Sequence, residues 1–352
     1  MTVALSVACT ILVVANDTNP FISRGRHIRH HQYLRMTAMT RSALVTGAAG
    51  FIASHLVDHL LHKGYSVMGI DNLRTGKIEN LKEATAHSDF RFVEIDVTNR
   101  NLVDSIEQRF DVIFHLAAIS SVKLSVENPR LVHDNNTTGT LNILELARER
   151  DVERVVLSSS AAVYGDPQSM PVDEETPLDP LSPYAASKVG AEMYCRAFEA
   201  AYGIGSVILR YFNVYGPRQE DSAYSGVISI FVNRALKDQP MYIEGDGLQT
   251  RSFVHVDDVV RATELAGTLE SVAGQTINVS ALNSVSIGEL ASRVLELTPD
   301  TKSTIVYTDP RVGDVRDSIG SMDRARDFLG FVPEVSLDEG LKQTITWYAS
   351  RT

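Results

Sequence analysis

At 352 residues, with 44% hydrophobic and 22% charged content, the chain can build the core of one large or two ordinary globular domains. A formal net charge of -11 opposes nonspecific attraction to nucleic acid or an anionic membrane, so neither is expected as a partner. Cys9 and Cys195 are too few for a disulfide framework or a cysteine-built metal site, so a reducing cytoplasm is the expected compartment and no metal is expected.

The first forty residues differ from the rest. Arg24, Arg26, Arg29 and Arg35 against Asp17 make this stretch +3, which leaves -14 for the remainder. Val3 to Val14 is apolar but shorter than a membrane span, and no Lys or Arg precedes it as a signal peptide requires. Residues 1–40 therefore read as a disordered extension, or as sequence upstream of a true start at Met39. HIRHH, from His27 to His31, has no acidic or cysteine partner nearby and reads as a solvated basic tail.

From Ser42 onward, the runs SALVT, YSVMGI, FRFVEI, DVIFHL, ERVVLS and GSVILR alternate with amphipathic stretches. That rhythm predicts βαβ units: an α/β, doubly wound parallel (Rossmann) sheet covered by helices on both faces. After Arg210 the chain turns to irregular segments such as YGPRQ and EGDG, then short helices and strands, which predicts a smaller C-terminal α/β substrate lobe. The expected division is 41–213 for the nucleotide-binding domain, with 250–280 returning to it, and 214–249 plus 281–352 for the second lobe.

ALVTGAAGFIASHLVDHLL places Gly47 and Gly50 after a strand and at the opening of a helix. Gly47 permits the tight turn, Gly50 lets backbone approach a pyrophosphate, and small Ala53 lets the helix pack on the sheet. The helix N-terminus offers free N–H groups and the positive end of its dipole to phosphates. Asp71 follows the second strand, 21 residues after Gly50, where a carboxylate accepts hydrogen bonds from ribose hydroxyls and repels a 2′-phosphate. The dinucleotide predicted on spacing is NAD rather than NADP, with Arg74 nearby weakening that preference.

GAAGFIA, YAASK and RYFNVYGPRQ together resemble the extended short-chain dehydrogenase/reductase superfamily in its nucleotide-sugar epimerase branch, over nearly all of Ser42 to Tyr348. The family's glycine motif ends in Gly where this chain has Ala53. The resemblance implies that Phe51, Ile52, Asn72, Asp96, Val97, Leu116, Ala117, Ala118 and Asn136 also line the cofactor, Asp96 and Val97 flanking its adenine.

In SPYAASK, Tyr184 and Lys188 are four apart and share a face if the segment after Pro183 is helical. A tyrosine loses its proton near pH ~10, so its use as a base at neutral pH needs a cation that stabilises the phenolate, a part Lys188 can take. VVLSSSAAVYG ends a strand with three serines, and the resemblance puts Ser160 in the catalytic position. Cys195, further along the same helix, reads as a small buried hydrophobe.

The related dehydratases and decarboxylases carry acidic residues after the catalytic hydroxyl, where this chain has Ala161 and Ala162. The resemblance thus implies oxidation at C4 of a UDP-sugar, rotation of the 4-keto sugar, and return of hydride to its other face. Arg251 in QTRSF and Arg311 in PRVGD suit phosphate contacts, and the resemblance adds Asn213 for the diphosphate and Asp314 for the ribose. Small Ser318 stands where relatives selective for glucose and galactose carry tyrosine. Ser121, Ser225, Gly226 and Val227 complete the implied pocket, which has room for an N-acetyl group. UDP-glucose/UDP-galactose and UDP-GlcNAc/UDP-GalNAc are the expected substrates. UDP-glucuronate, a dehydratase, decarboxylase or reductase activity, and a noncatalytic NAD sensor stay open as alternatives. The resemblance also implies a homodimer through helices around 140–150 and 185–202.

Overall fold

Most of the β-branched and aliphatic runs form strands that bury both faces, as in Ser42–Thr46, where four of five residues are fully enclosed, whereas the edge strand Phe90–Glu94 stays partly exposed. The computed structural model describes residues 40–220, 226–310 and 315–351, so the extension expected over 1–40 falls outside the described residues except for Thr40. Seven strands make one parallel sheet: β1 Ser42–Thr46, β2 Ser66–Asp71, β3 Phe90–Glu94, β4 Val112–His115, β5 Arg154–Ser160, β6 Gly205–Tyr211 and β7 Thr276–Val279. Their spatial order is β7-β6-β5-β4-β1-β2-β3, a doubly wound sheet.

Helices named here are α1 Phe51–His62, α2 Gly139–Glu149, α3 Pro183–Tyr202, α4 Val227–Leu236, α5 Val256–Thr268, α6 Ile287–Leu297 and α7 Leu337–Ala349. Alternate strand residues feed opposite cores. Along β5, Val156 packs with Leu56 and Leu60 of α1 and Val259 of α5. Its neighbours Val155 and Leu157 pack with Ile143 and Leu144 of α2 and Ala191 and Cys195 of α3. Each of the Val, Leu and Ile side chains contributes about 1.5–3 kcal/mol of burial, which holds the helices to the two faces.

The winding reverses direction at β1, which pairs with β2 on one side and β4 on the other. A crevice opens at such a reversal, beyond the carboxyl ends of the strands. β5 lies next to β4, so the turn after β1 and the serines ending β5 reach the same edge.

A further apolar cluster gathers Phe231 and Val232 of α4, Leu290 and Val294 of α6, and Leu341 of α7. Around it lie the parallel pair Met241–Glu244 and Ile305–Thr308 and a small sheet of Val285–Ser286, Thr250–Arg251 and Asp317–Ser318. Capping boxes start α6, with Ser286 and Glu289, and α7, with Ser336 and Glu339. The carboxylate of buried Asp258 in α5 accepts from the Glu334 and Val335 amides, tying the two parts together.

Gly267 of α5 lets that helix lie directly on the Phe114 ring. A Cβ at 267 would stand 2.5 Å from the Cζ and 2.6 Å from the Cε1 of the fully buried Phe114 ring. Gly267→Ala is expected to lower unfolding free energy by about 1–3 kcal/mol, the usual cost of overpacking. A denaturant midpoint equal to that of the parent would contradict this packing.

Candidate active site

Gly47 leaves β1 with φ +68, and a Cβ there would lie 2.8 Å from the Ala117 Cα. Only glycine fits this turn without strain, because the conformation is left-handed and the facing atoms are backbone. The Gly50 amide donates to the Gly47 carbonyl at 2.9 Å, and the Ser54 amide closes the first α1 turn on Gly50. Gly50 caps α1 with no side chain, so the amides of Phe51, Ile52 and Ala53 face the crevice without intrahelical partners. Such a turn and helix start could hold a pyrophosphate.

Thr46, just before the turn, stitches two strand ends together. Its hydroxyl oxygen accepts from the Leu116 and Ala117 amides at 3.1 and 3.0 Å, and the group lies 2.7 Å from His115 Nδ1. On the other ring edge, His115 Nε2 is 3.0 Å from the Thr140 hydroxyl, which donates its own proton to the Asn136 carbonyl at 2.6 Å. Thr140 can then only accept, so Nε2 carries the imidazole proton and Nδ1 accepts from Thr46. Burial holds His115 neutral, its pKa lowered to about 3 with the Lys188 charge adding to the effect.

Asn136, in a π-helical stretch Asp134–Thr138, accepts from the Ile119 amide and donates to the Ile119 carbonyl and the Ser187 hydroxyl. Ser187 donates to the Tyr184 carbonyl. Asp71 sits at the end of β2, its carboxylate receiving the Ala49 and Leu73 amides at 3.0 and 2.7 Å. Burial raises its pKa against those amides. Asn72 donates to Asp96, which also receives the Thr98 amide and hydroxyl. Val97 packs over Gly139 at the start of α2. Ala118 follows Ala117 in the same strand-to-helix loop.

SPYAASK does start a helix. Ser182 caps α3 by accepting from the Ala185 amide at 3.1 Å, and Pro183 is its first residue. Tyr184 and Lys188 share one face, both buried. Burial pushes the Tyr184 phenol up from its usual pKa, and a hydrogen bond with Ser160 works the other way. The expected lowering by Lys188 is thus not what these groups give by themselves, because desolvation of the phenol outweighs its one polar partner. The Lys188 ammonium donates to the Ser158 carbonyl at 2.8 Å. Burial lowers its pKa to about 8, opposed by the Glu192 carboxylate.

The residues expected around the sugar are brought together only in part. Asn213 donates to the Ser252 carbonyl at 3.1 Å, and Ser318 pairs in register with Arg251. The Arg251 guanidinium donates to the carbonyls of Thr250, Val315 and Arg316. Ser121 caps the helix Val122–Glu127 by accepting from the Leu124 amide. Gly226 and Val227 open α4. Ser225, Arg311 and Asp314 lie outside the described residues. Cys195 is fully buried in the α3 core contact. Sequence reasoning missed Thr46, His115, Glu192 and Arg210; the only signal for His115 was a polar residue closing an otherwise apolar strand.

The profile of the GDP-mannose 4,6 dehydratase family matches residues 44–344. A UDP-glucose 4-epimerase of Mycolicibacterium smegmatis is 40% identical over 313 residues, covering 88% of this chain and 99% of that protein. Among solved structures, a UDP-N-acetylglucosamine 4-epimerase from Methanobrevibacter ruminantium, in complex with UDP-N-acetylmuramic acid, superposes with TM-score 0.84 at 35% identity. It covers 89% of this chain and 99% of its own. A UDP-glucuronic acid 4-epimerase from Bacillus cereus, bound to UDP-glucuronic acid and NAD, gives TM-score 0.82 at 32% identity, covering 88% and 100%.

The neutral His115 makes a pH test of the network. As pH falls through its ordinary value of 6.5, the unfolded chain takes up a proton that the folded chain refuses until about 3. The stabilising contribution is complete above 6.5 and is lost at about 1.4 kcal/mol per pH unit below it. His115→Gln should therefore flatten the acid side of the stability curve by about that slope between roughly pH 6 and 4. Urea unfolding across this range measures it, and parallel curves for the two proteins would disprove the buried neutral state.

Proposed function

Because the chain belongs to the extended short-chain dehydrogenase/reductase family, in its UDP-sugar epimerase branch, we propose that it is an NAD-dependent UDP-sugar 4-epimerase. We assign it UDP-glucose/UDP-galactose and UDP-GlcNAc/UDP-GalNAc as substrates. The observation that carries this reading is the buried Tyr184–Lys188 face of α3, with Ser160 hydrogen-bonded to the phenol, at the sheet edge that bears the Gly47 turn.

The residues fit NAD. The Gly47–Gly50 cradle admits backbone contact with a pyrophosphate, and Asp71 presents a carboxylate at the end of β2, where a ribose hydroxyl would meet it. NAD, when bound, supplies the hydride acceptor and donor for C4 of the sugar. Ser160 holds the C4 oxygen while Tyr184 removes its proton. Lys188, with a pKa of about 8, is mostly charged at neutral pH and stabilises the phenolate that burial otherwise disfavours. Asn213, Arg251, Arg311 and Asp314 tether the nucleotide diphosphate while the 4-keto sugar turns. Tyr184 then returns the proton to the C4 oxygen on the opposite configuration.

Ala161 and Ala162 leave no acid beside Ser160 for chemistry beyond C4. Ser318, paired with Arg251, keeps the C2 side of the pocket small-walled, which supports acceptance of an N-acetyl group. The cluster around α4, α6 and α7 serves as the substrate lobe.

Incubation of the purified protein with UDP-galactose, UDP-GalNAc or UDP-glucuronate, without added coenzyme, and chromatography of the products tests the assignment. Conversion of UDP-galactose to UDP-glucose and of UDP-GalNAc to UDP-GlcNAc is expected. No epimer from any of them would sink the reading, and conversion of UDP-glucuronate alone would move it to the uronic acid. Tyr184→Phe should cut turnover by about 10²–10⁴-fold, the range for general acid–base catalysis, while leaving fold and bound NAD intact. Unchanged turnover would refute the role of Tyr184.

A further inference from the structure

One turn beyond Lys188 on α3, Glu192 is completely buried and faces an equally buried Arg210 on β6. Its carboxylate accepts from the Ser159 hydroxyl at 2.5 Å, from Arg210 Nε at 3.0 Å and from Arg210 Nη2 at 2.7 Å. Arg210 also donates to the Tyr164 hydroxyl at 2.9 Å, and Tyr164 donates to Asn278 of β7 at 2.7 Å. The guanidinium lies over the Tyr164 ring, 4.8 Å from its centroid.

An enclosed ion pair is weak evidence for stability, because well-packed apolar residues of the same volume usually serve as well. Its placement is more informative. Ser159 lies between Ser158, whose carbonyl receives the Lys188 ammonium, and Ser160, which contacts Tyr184. Glu192 therefore binds the strand residue whose two neighbours hold the lysine and the tyrosine.

The groups facing Lys188 come from several elements. Tyr184 and Glu192 share its helix, Ser158 faces it from β5, neutral His115 from β4, and Arg210 stands behind Glu192 on β6. Glu192 is the charge that favours the protonated lysine against the cost of burial.

We propose that Glu192, anchored by Arg210 and Ser159, is a positioning residue that keeps Lys188 protonated and aligned beneath Tyr184. This rests on the catalytic reading of Tyr184 and Lys188 above. Loss of an adjacent opposite charge moves a pKa by about one unit or more. In Glu192→Gln, the Lys188 midpoint should thus fall by about one pH unit from its value of about 8. The alkaline limb of kcat should move down with it, while KM for the UDP-sugar stays nearly constant because Glu192 touches no substrate. At pH 8 the protonated fraction of Lys188 would drop from about one half to one tenth, a fall in kcat of about fivefold.

Glu192→Gln strands a buried arginine, so the double variant Glu192→Leu with Arg210→Met serves beside it, filling the same space without charge. It should remain folded and still show the alkaline shift. Lysine 13Cε NMR on the full-length holoprotein, with the Lys188 signal assigned by its loss in Lys188→Arg, reads the ionisation without any substrate. A Lys188 midpoint unchanged in both variants overturns the proposal. A lowered midpoint with no epimerase activity in the parent protein would sink the functional reading and uphold the effect of Glu192 on the lysine.

Discussion

A single line of hydrogen bonds joins the Gly47 turn to the helix that carries Tyr184 and Lys188. It runs from the Thr46 hydroxyl to His115 Nδ1, from His115 Nε2 to Thr140, from Thr140 to the Asn136 carbonyl, and from the Asn136 amide to Ser187. The Thr140 hydroxyl donates to the Asn136 carbonyl and the imidazole must be neutral for the line to hold. Under the proposed reading, hydride and proton leave neighbouring atoms of one substrate, which requires a fixed separation between the two halves of the site. Strand pairing sets that separation coarsely, through β1, β4 and β5; the line through His115 sets it finely.

The span from Ser160 to Tyr184 is held a second time from another side. Between Ser160 and Tyr184 the chain runs out in a strap whose Val172 amide donates to the Ile319 carbonyl and whose Val172 carbonyl accepts from the Ser321 amide. Ser318 lies just before this contact. Glu174 of the same strap receives the Asn278 amide on β7. The strap between Ser160 and Tyr184 is thus tied by hydrogen bonds to the segment just after Ser318 and to β7.

The strands were legible in the sequence because a parallel sheet buries both faces and so writes itself as uninterrupted apolar runs. The Gly47 turn and the helical spacing of Tyr184 and Lys188 were legible because each depends on backbone conformation or on a fixed period. The polar partners beneath them were not. Glu192 and Arg210 come from α3 and β6, eighteen residues apart and joined only by the fold, and nothing local separates them from surface charges. Asp71 was readable by position, yet its carboxylate also shapes the turn by taking the Ala49 and Leu73 amides, a contact spacing alone does not reveal. The raised pKa of Tyr184 depends on how completely α3 and its surroundings exclude water, which a motif does not encode.

The order of the sheet has a consequence for how the chain is made. β6 ends at Tyr211, but the strand that covers its open edge, β7, begins only at Thr276. During synthesis the nearly all-buried β6 therefore waits through residues 212–275 with an unpaired rim of backbone groups. Such pairing at long sequence separation is slow to form and exposes an aggregation-prone edge until it does. The same holds for β1, whose second edge waits from Thr46 until β4 begins at Val112, so the sheet closes only after two long intervals with an open edge.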